Sequence, residues 1–142
     1  MKLTDNFTLE ELTHTHTGLP NSPDAITTSK LIELCKNVLQ PAREAYGDTI
    51  TVNSGYRSPQ VNKECGGVQN SQHCTGEAAD ISCSDNAKLF AIIRDNITFD
   101  QLIWEGGNDR APAWIHVSYA KKNRGTVLRM YKINGKSTYK TI

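Results

Sequence analysis

Apolar residues recur at helical spacing between about Thr28 and Tyr46, and they form a single stripe along that stretch. This spacing predicts a helix with one buried face. Pro41 lies inside the stretch and has no amide hydrogen to donate, so we expect the helix to kink or divide there. Gly47 is a suitable stop. The stripe consists of Leu31, Leu34, Cys35, Val38, Ala42 and Ala45.

Short apolar segments separated by turn residues predict a set of strands. The last three are hairpin-like, which favours an antiparallel sheet with the helices segregated against one face, an α+β architecture. Thr8 and Glu11 have the spacing of a capping box for a short helix through Leu12, and Asp85 is placed to cap a helix ending near Asp95. The predicted strands are Ile50–Asn53, Ala78–Ser82, Phe99–Glu105, Ala113–Tyr119 and Val127–Ile133, and a further short helix is predicted near Gln60–Glu64.

The size and composition are those of one globular unit. The 142 residues, with 37% hydrophobic and 22% charged positions, are enough for a single domain spanning residues 1–142 with its own core. No apolar run reaches about 18 residues, so no membrane insertion is expected. The N-terminus lacks the apolar region of a secretory signal. We therefore expect a protein that is synthesised in the cytoplasm without a signal peptide. We also expect it to be a monomer.

The net charge of +1 hides an asymmetry along the chain. Residues 121–142 carry seven basic side chains and no acid, whereas the first 120 residues carry nine basic and fifteen acidic groups. The basic C-terminal segment either favours an anionic surface such as a bacterial envelope or forms a solvated terminal hairpin. Nucleic acid is not expected as a partner, because no aromatic interleaving accompanies the charge.

A candidate metal site comes from three side chains in separate segments. His73 and Asp80 lie seven positions apart in SQHCTGEAAD, and His116 lies downstream in WIHVS. Two imidazoles and a carboxylate are a zinc ligand set that leaves a fourth position open, as in catalytic rather than structural sites. His14 and His16 alternate in THTH, where a solvated loop is expected.

The four cysteines show no C-x-x-C spacing and are expected to be free thiols. Cys74 directly follows His73. Successive residues of an extended segment point in opposite directions, so Cys74 is not expected to be a fourth ligand.

The segment Ser71-x-His73-x-x-Gly76-x-Ala78-x-Asp80 resembles the zinc signature of the zinc D-Ala-D-Ala carboxypeptidase family. That family includes phage endolysins, L-alanyl-D-glutamate endopeptidases and the hedgehog-type fold. The resemblance covers roughly residues 5–120 and implies one Zn²⁺ held by His73, Asp80 and His116, within a hedgehog/DD-peptidase-like fold. Further matching segments, in order, are FTLEEL, VLQP, SGYRSP, VNK, GG, QLIWE and WIHVSY.

The resemblance also implies residues that bind the substrate. Arg57 in SGYRSP matches an arginine of the family that recognises a carboxylate and stabilises oxyanion charge, roles that suit a guanidinium. Arg57 is therefore both a catalytic and a substrate-binding candidate. Ser71 and Gln72 either hydrogen-bond the substrate or organise the zinc loop.

The general base departs from the pattern of many relatives, which carry an acid about three residues before the last histidine. Ala113 occupies that position here and cannot transfer a proton. Glu105, at the end of QLIWE, matches the short relatives and is the expected base. Asp109 is the second candidate and Glu77 the third.

These residues lead to the hypothesis of a zinc metallopeptidase that cleaves peptidoglycan stem peptides. The sequence leaves open whether it removes a terminal D-alanine or cuts between L-alanine and D-glutamate. The resemblance to compact phage endolysins implies a phage or prophage enzyme that acts on the wall after release. The alternatives are a non-catalytic, zinc-stabilised wall-binding or structural module and, third, a cysteine peptidase using Cys74 and His73.

Overall fold

Helices and strands are mixed along the chain, and the computed structural model describes all of residues 1–142. The α+β class expected from the sequence is confirmed. The helices are α1 (Leu9–Leu12), α2 (Ala25–Leu34), α3 (Gln40–Tyr46), α4 (Pro59–Glu64) and α5 (Asn86–Asn96). The strands are β1 (Lys2–Thr4), β2 (Phe7–Thr8), β3 (Thr51–Ser54), β4 (Ala78–Ser82), β5 (Gln101–Glu105), β6 (Trp114–Ser118), β7 (Thr126–Ile133) and β8 (Lys136–Thr141).

The division of the long helix near Pro41 is confirmed. A π-helical segment, Cys35–Leu39, separates α2 from α3, and the Gln40 amide donates five residues back to the Cys35 carbonyl. The wider turn accommodates a proline that has no hydrogen to donate to the preceding turn. Gly47 ends the helix at a positive φ of 82°, which glycine adopts without strain.

Two of the helix N-caps are those predicted from the sequence, and a third was not predicted. Thr8 and Glu11 form the capping box, and the Asp85 carboxylate accepts from the Lys88 amide at the start of α5. The cap of α2 is Asp24, which accepts from the Thr27 amide at 2.7 Å, so this helix begins three residues before the predicted start. None of the helices is both long enough and apolar enough to cross a bilayer.

The main sheet has six strands in the order β3-β4-β6-β5-β7-β8. The prediction of an antiparallel sheet is wrong for one pair, since β5 and β7 run parallel. Strand β6 pairs with β4 on one side and with β5 on the other, so β7 pairs with the free edge of β5. Strand β7 runs antiparallel to β6 and is therefore parallel to β5. Strand β8, absent from the predicted strands, pairs with β7 as a terminal hairpin.

Alternation along the central strands divides the sheet into two faces. On one face, Ala79, Ile81, Leu102, Ile115 and Val117 are fully buried and join the helices in a 20-residue hydrophobic cluster. Residues of opposite parity point to the other face. That second face carries the ligand candidates of β4 and β6.

Candidate metal centre

The sheet register brings two of the three predicted ligands together. Asp80 on β4 and His116 on β6 are direct cross-strand partners, and paired residues of neighbouring strands point to the same face. His73 arrives from outside the sheet, on a 3₁₀ turn formed by Gln72–Thr75. His73, Asp80 and His116 are the one group of three or more His, Cys, Asp or Glu side chains with ligand atoms close enough to hold an ion.

The distances between the ligand atoms fit a small tetrahedral ion. Asp80 Oδ1 lies 3.4 Å from His73 Nε2 and 3.0 Å from His116 Nδ1, and all three ligand atoms lie within 4.8 Å of one another. Zinc with bonds of 2.0–2.1 Å places tetrahedral ligands about 3.3 Å apart. Two nitrogens and one carboxylate oxygen also match the donors that zinc prefers, so the residues present fit the ion.

The SGYRSP segment holds His73 in its ligand orientation. His73 Nδ1 lies 2.7 Å from the Gly55 carbonyl, which as an acceptor fixes the tautomer with the proton on Nδ1 and leaves Nε2 free for a metal. The Arg57 amide donates to the His73 carbonyl at 3.0 Å. A side chain on Gly55 would collide with the Leu12 carbonyl, so the close approach of these segments requires glycine.

The two oxygens of Asp80 have different partners. Oδ1 faces the imidazoles, whereas Oδ2 accepts from Arg57 Nη2 at 3.1 Å. Burial acts to raise the pKa of Asp80, but the hydrogen bonds with His116 and His73 outweigh it and hold the pKa well below its ordinary value. Asp80 is therefore ionised at neutral pH, as a metal ligand must be.

Arg57 is anchored on three sides beside the ligands. Its Nε donates to Ser54 at 2.9 Å and its Nη1 to Asn62 at 3.3 Å, in addition to the Asp80 contact. Three of the five N–H donors of the guanidinium are engaged. The remaining two are free to bind an anionic group.

Glu105 lies on the same face as the ligands and is buried, with 7% exposed. It pairs with Trp114, two residues before His116 on β6. Burial raises the pKa of Glu105 to about 7; the positive charge of His116 acts against this rise and the negative charge of Asp80 adds to it. Such a pKa suits a group that both accepts and returns a proton near neutral pH.

The other two acids proposed as bases lie in different surroundings. Asp109 is 92% exposed and pairs with Arg129 at 2.7 Å. Glu77 accepts a hydrogen bond from the Thr75 hydroxyl. Neither is a buried acid on the ligand face of the sheet, as Glu105 is, so the surroundings favour Glu105 over both.

The raised pKa of Glu105 predicts a specific pH dependence of the metal-free protein. In the unfolded chain the carboxyl loses its proton near 4.5, and in the folded chain near 7. Between these values the folded state binds more protons, so the free energy of unfolding falls as pH rises, by at most about 3 kcal/mol at 1.36 kcal/mol per pKa unit. Urea unfolding of chelator-treated wild type and Glu105→Gln between pH 4.5 and 7.5 measures this contribution. The variant is expected to lack it, and parallel curves for the two proteins contradict the assignment.

Ser71 and Gln72 are hydrogen-bonded within the zinc loop. Ser71 Oγ accepts from the His73 amide at 3.1 Å, and Gln72 Nε2 donates to Asp100 at 2.9 Å. These contacts favour the loop-organising alternative, and substrate binding by Ser71 and Gln72 remains a prediction.

Asp100 is a supporting residue that the sequence analysis missed. It is 2% exposed. It accepts one hydrogen bond from Gln72 and two from Arg124, whose Nε and Nη2 each donate at 2.8 Å. The hydrogen bonds from Arg124 hold the pKa of Asp100 well below its ordinary range. Asp100 thereby ties the loop of His73 to the connection between β6 and β7. No local pattern marks it, because its partners lie 28 and 24 residues away.

The remaining histidines and the cysteines lie outside the metal group. His14 and His16 are close to each other, with 3.2 Å between their Nε2 atoms, and are exposed. All four cysteines are free thiols. Burial raises the pKa of the Cys74 thiol although Arg57 acts against the shift, so Cys74 lacks the depressed pKa of a nucleophilic cysteine.

A three-ligand metal group beside a buried carboxylic acid and an arginine is the arrangement of a metal-dependent hydrolase. A model of the peptidase M15 family matches residues 5–118, most of the chain. The protein therefore belongs to the peptidase M15 family, as the sequence motifs indicated.

One curated relative is a zinc D-Ala-D-Ala carboxypeptidase of Streptomyces albus G, 39% identical over 80 residues. The match covers 54% of this chain and 31% of the relative. The chain thus corresponds to about a third of that protein's length.

Proposed function

We propose that this protein is a zinc peptidase that hydrolyses peptide bonds in the stem peptides of bacterial peptidoglycan. The observation that carries the proposal is the group of His73, Asp80 and His116, with Glu105 on the same face of the sheet. Family membership and the zinc carboxypeptidase relative support both the metal and the substrate class.

His73, Asp80 and His116 would hold the zinc ion, which when bound would supply Lewis-acid activation of water and of the scissile carbonyl. Glu105 accepts the proton of the attacking water and returns it to the leaving amine. Burial acts to raise its pKa above that of an ordinary glutamate, which favours its holding that proton between the two transfers. Glu105 lies on β5, which is paired on both sides within the sheet.

Arg57 binds a carboxylate of the stem peptide next to the ligands. Its two free N–H donors are available for this contact, and a guanidinium binds carboxylates in a bidentate manner. The three hydrogen bonds to Ser54, Asn62 and Asp80 fix the guanidinium before substrate arrives. Less ordering is then required on binding.

The biological role that we propose is that of a phage or prophage endolysin, acting as a monomer on the wall after release from the cytoplasm. The resemblance of segments such as QLIWE to those of short endolysins supports this proposal. Cleavage of the terminal D-alanine and cleavage between L-alanine and D-glutamate remain the two candidate activities.

Digestion of a defined muropeptide tests the proposed function. Zinc-loaded protein is expected to release either D-alanine or a fragment that begins with D-glutamate, and mass spectrometry identifies which. A chelator is expected to abolish the reaction and added Zn²⁺ to restore it. Intact muropeptides and unchanged wall turbidity with zinc-loaded protein contradict the proposal, and binding to wall without cleavage favours a non-catalytic wall-binding module.

A further inference from the structure

The terminal hairpin, strands β7 and β8, extends the face of the sheet that carries the metal group. This hairpin lies beyond residues 5–118, to which the family model matches. Strand β8 is polar except for one aromatic residue, Tyr139, in the sequence KSTYKT.

The register places Tyr139 on the same face as Glu105. Glu105 pairs with Met130 on β7, and Met130 pairs with Tyr139 on β8. Trp114, Glu105, Met130 and Tyr139 thus form one row across four strands, next to the row that contains His116. Two strand spacings, about 10 Å, separate the backbones of Glu105 and Tyr139.

A strip of apolar residues lies between Tyr139 and the ligands. Ile103 pairs with His116, and Leu128 pairs with Ile103. Ile103 and Met130 are each 7% exposed. These three side chains form an apolar strip on the ligand face of the sheet, and Tyr139, 51% exposed, lies at the edge of this strip.

The Tyr139 hydroxyl has no hydrogen-bond partner within the protein, and it is near enough to Glu105 and Asp80 for their charges to affect it. Partial burial raises its pKa, and the negative charges of Glu105 and Asp80 raise it further, with no hydrogen bond contributing. The phenol therefore stays protonated at neutral pH and acts as a donor. A ring with an apolar body and one polar end is suited to contact a peptide.

Arg57 and Tyr139 lie on opposite sides of the ligands. Arg57 contacts Asp80 beside β3 and β4, whereas Tyr139 belongs to β8 at the other edge of the sheet. A peptide that reaches across the metal group from one residue to the other lies over Ile103 and Met130. The end of the peptide near Arg57 carries the carboxylate in the proposed function.

We propose that Tyr139 contacts the substrate on the side of the cleaved bond away from the carboxylate held by Arg57, and that its hydroxyl donates a hydrogen bond to the stem peptide there. The inference rests on the proposed function, since the molecule that Tyr139 contacts is the stem peptide. The terminal hairpin would then recognise one half of the substrate.

Steady-state kinetics on a full stem peptide and on one shortened on the side away from the carboxylate tests this role. Tyr139→Ala is expected to raise KM for the full peptide about tenfold with kcat changed less than twofold, and to leave KM for the shortened peptide unchanged. Tyr139→Phe, which loses the hydroxyl alone, is expected to raise KM about threefold. Zinc content is expected to equal that of the wild type in both variants.

Tyr131 offers a matched control in the same hairpin. It points to the opposite face, where it stacks under Arg129 at 4.7 Å, and Tyr131→Phe is expected to behave as wild type. KM within twofold of wild type for both Tyr139 variants, or an equal loss for full and shortened peptides, overturns the inference.

Failure of the inference is distinguishable from failure of the proposed function. If the wild type cleaves the full peptide and Tyr139→Ala does so equally well, the inference alone is wrong. If the wild type cleaves nothing, calorimetry of the same peptide with the zinc-loaded wild type and Tyr139→Phe decides the role of Tyr139. Equal affinities, or no binding by either protein, overturn it.

Discussion

Replacement of Glu105 by glutamine is expected to lower kcat for stem-peptide cleavage by about a thousandfold while the zinc content stays at one ion per chain. A positioned general base contributes roughly 10²–10⁴-fold to such reactions. Glutamine has nearly the same shape but accepts no proton, so it removes proton transfer and keeps the packing beside Trp114. The measurement is kcat on a defined muropeptide together with metal analysis of the same samples.

Asp109→Asn is the matched control for this substitution. Asp109 lies in the loop that follows Glu105 and is 92% exposed, where it pairs with Arg129. Its replacement is expected to change kcat less than twofold. A large loss for Asp109→Asn with near-normal activity for Glu105→Gln identifies Asp109, and not Glu105, as the base.

Replacement of His116 by alanine is expected to abolish both stoichiometric zinc binding and cleavage. The two ligands that remain leave an incomplete site, and a catalytic zinc ion needs three protein ligands. The loss also shows in stability, since an ion that binds only the folded state adds about 4 kcal/mol when present at a thousand times its Kd. Thermal unfolding with and without Zn²⁺ is expected to shift for the wild type and not for the variant.

The exposed pair in THTH provides the control for metal binding. His14 lies 3.2 Å from His16 but outside the ligand group, so His14→Ala is expected to retain zinc, activity and the thermal shift. An undiminished zinc-dependent shift in His116→Ala contradicts the proposed ligand set. Loss of zinc in His14→Ala instead locates the metal in the THTH loop.

The local features of the fold were predictable because each depends on residues a few positions apart. The capping box of Thr8 and Glu11, the cap at Asp85 and the interruption at Pro41 involve side chains and backbone groups within about one helical turn. The Asp24 cap was missed because its polar loop, with two prolines nearby, resembles a break more than a start. Whether such a loop caps a helix or interrupts it depends on its backbone conformation.

The pairing of distant strands was not predictable in the same way. The sequence suggests a hairpin-like series after residue 99, but the choice of β5 as the partner of β7 depends on which edge β4 leaves free. Alternation within one strand identifies its two faces without identifying its neighbour. The Asp100 network, with partners 24 and 28 residues away, is hidden for the same reason.

The candidate ligands and the class of chemistry could be predicted from the sequence alone, because His73, Asp80, His116 and their surrounding motifs form an ordered pattern that resembles the family's. Only the tertiary structure decided that Glu105, and neither Asp109 nor Glu77, lies buried on the ligand face, and that Tyr139 shares its row. Ligand types can be read along a chain, whereas the burial and orientation of a side chain depend on strand register and on the packing of segments far apart in sequence.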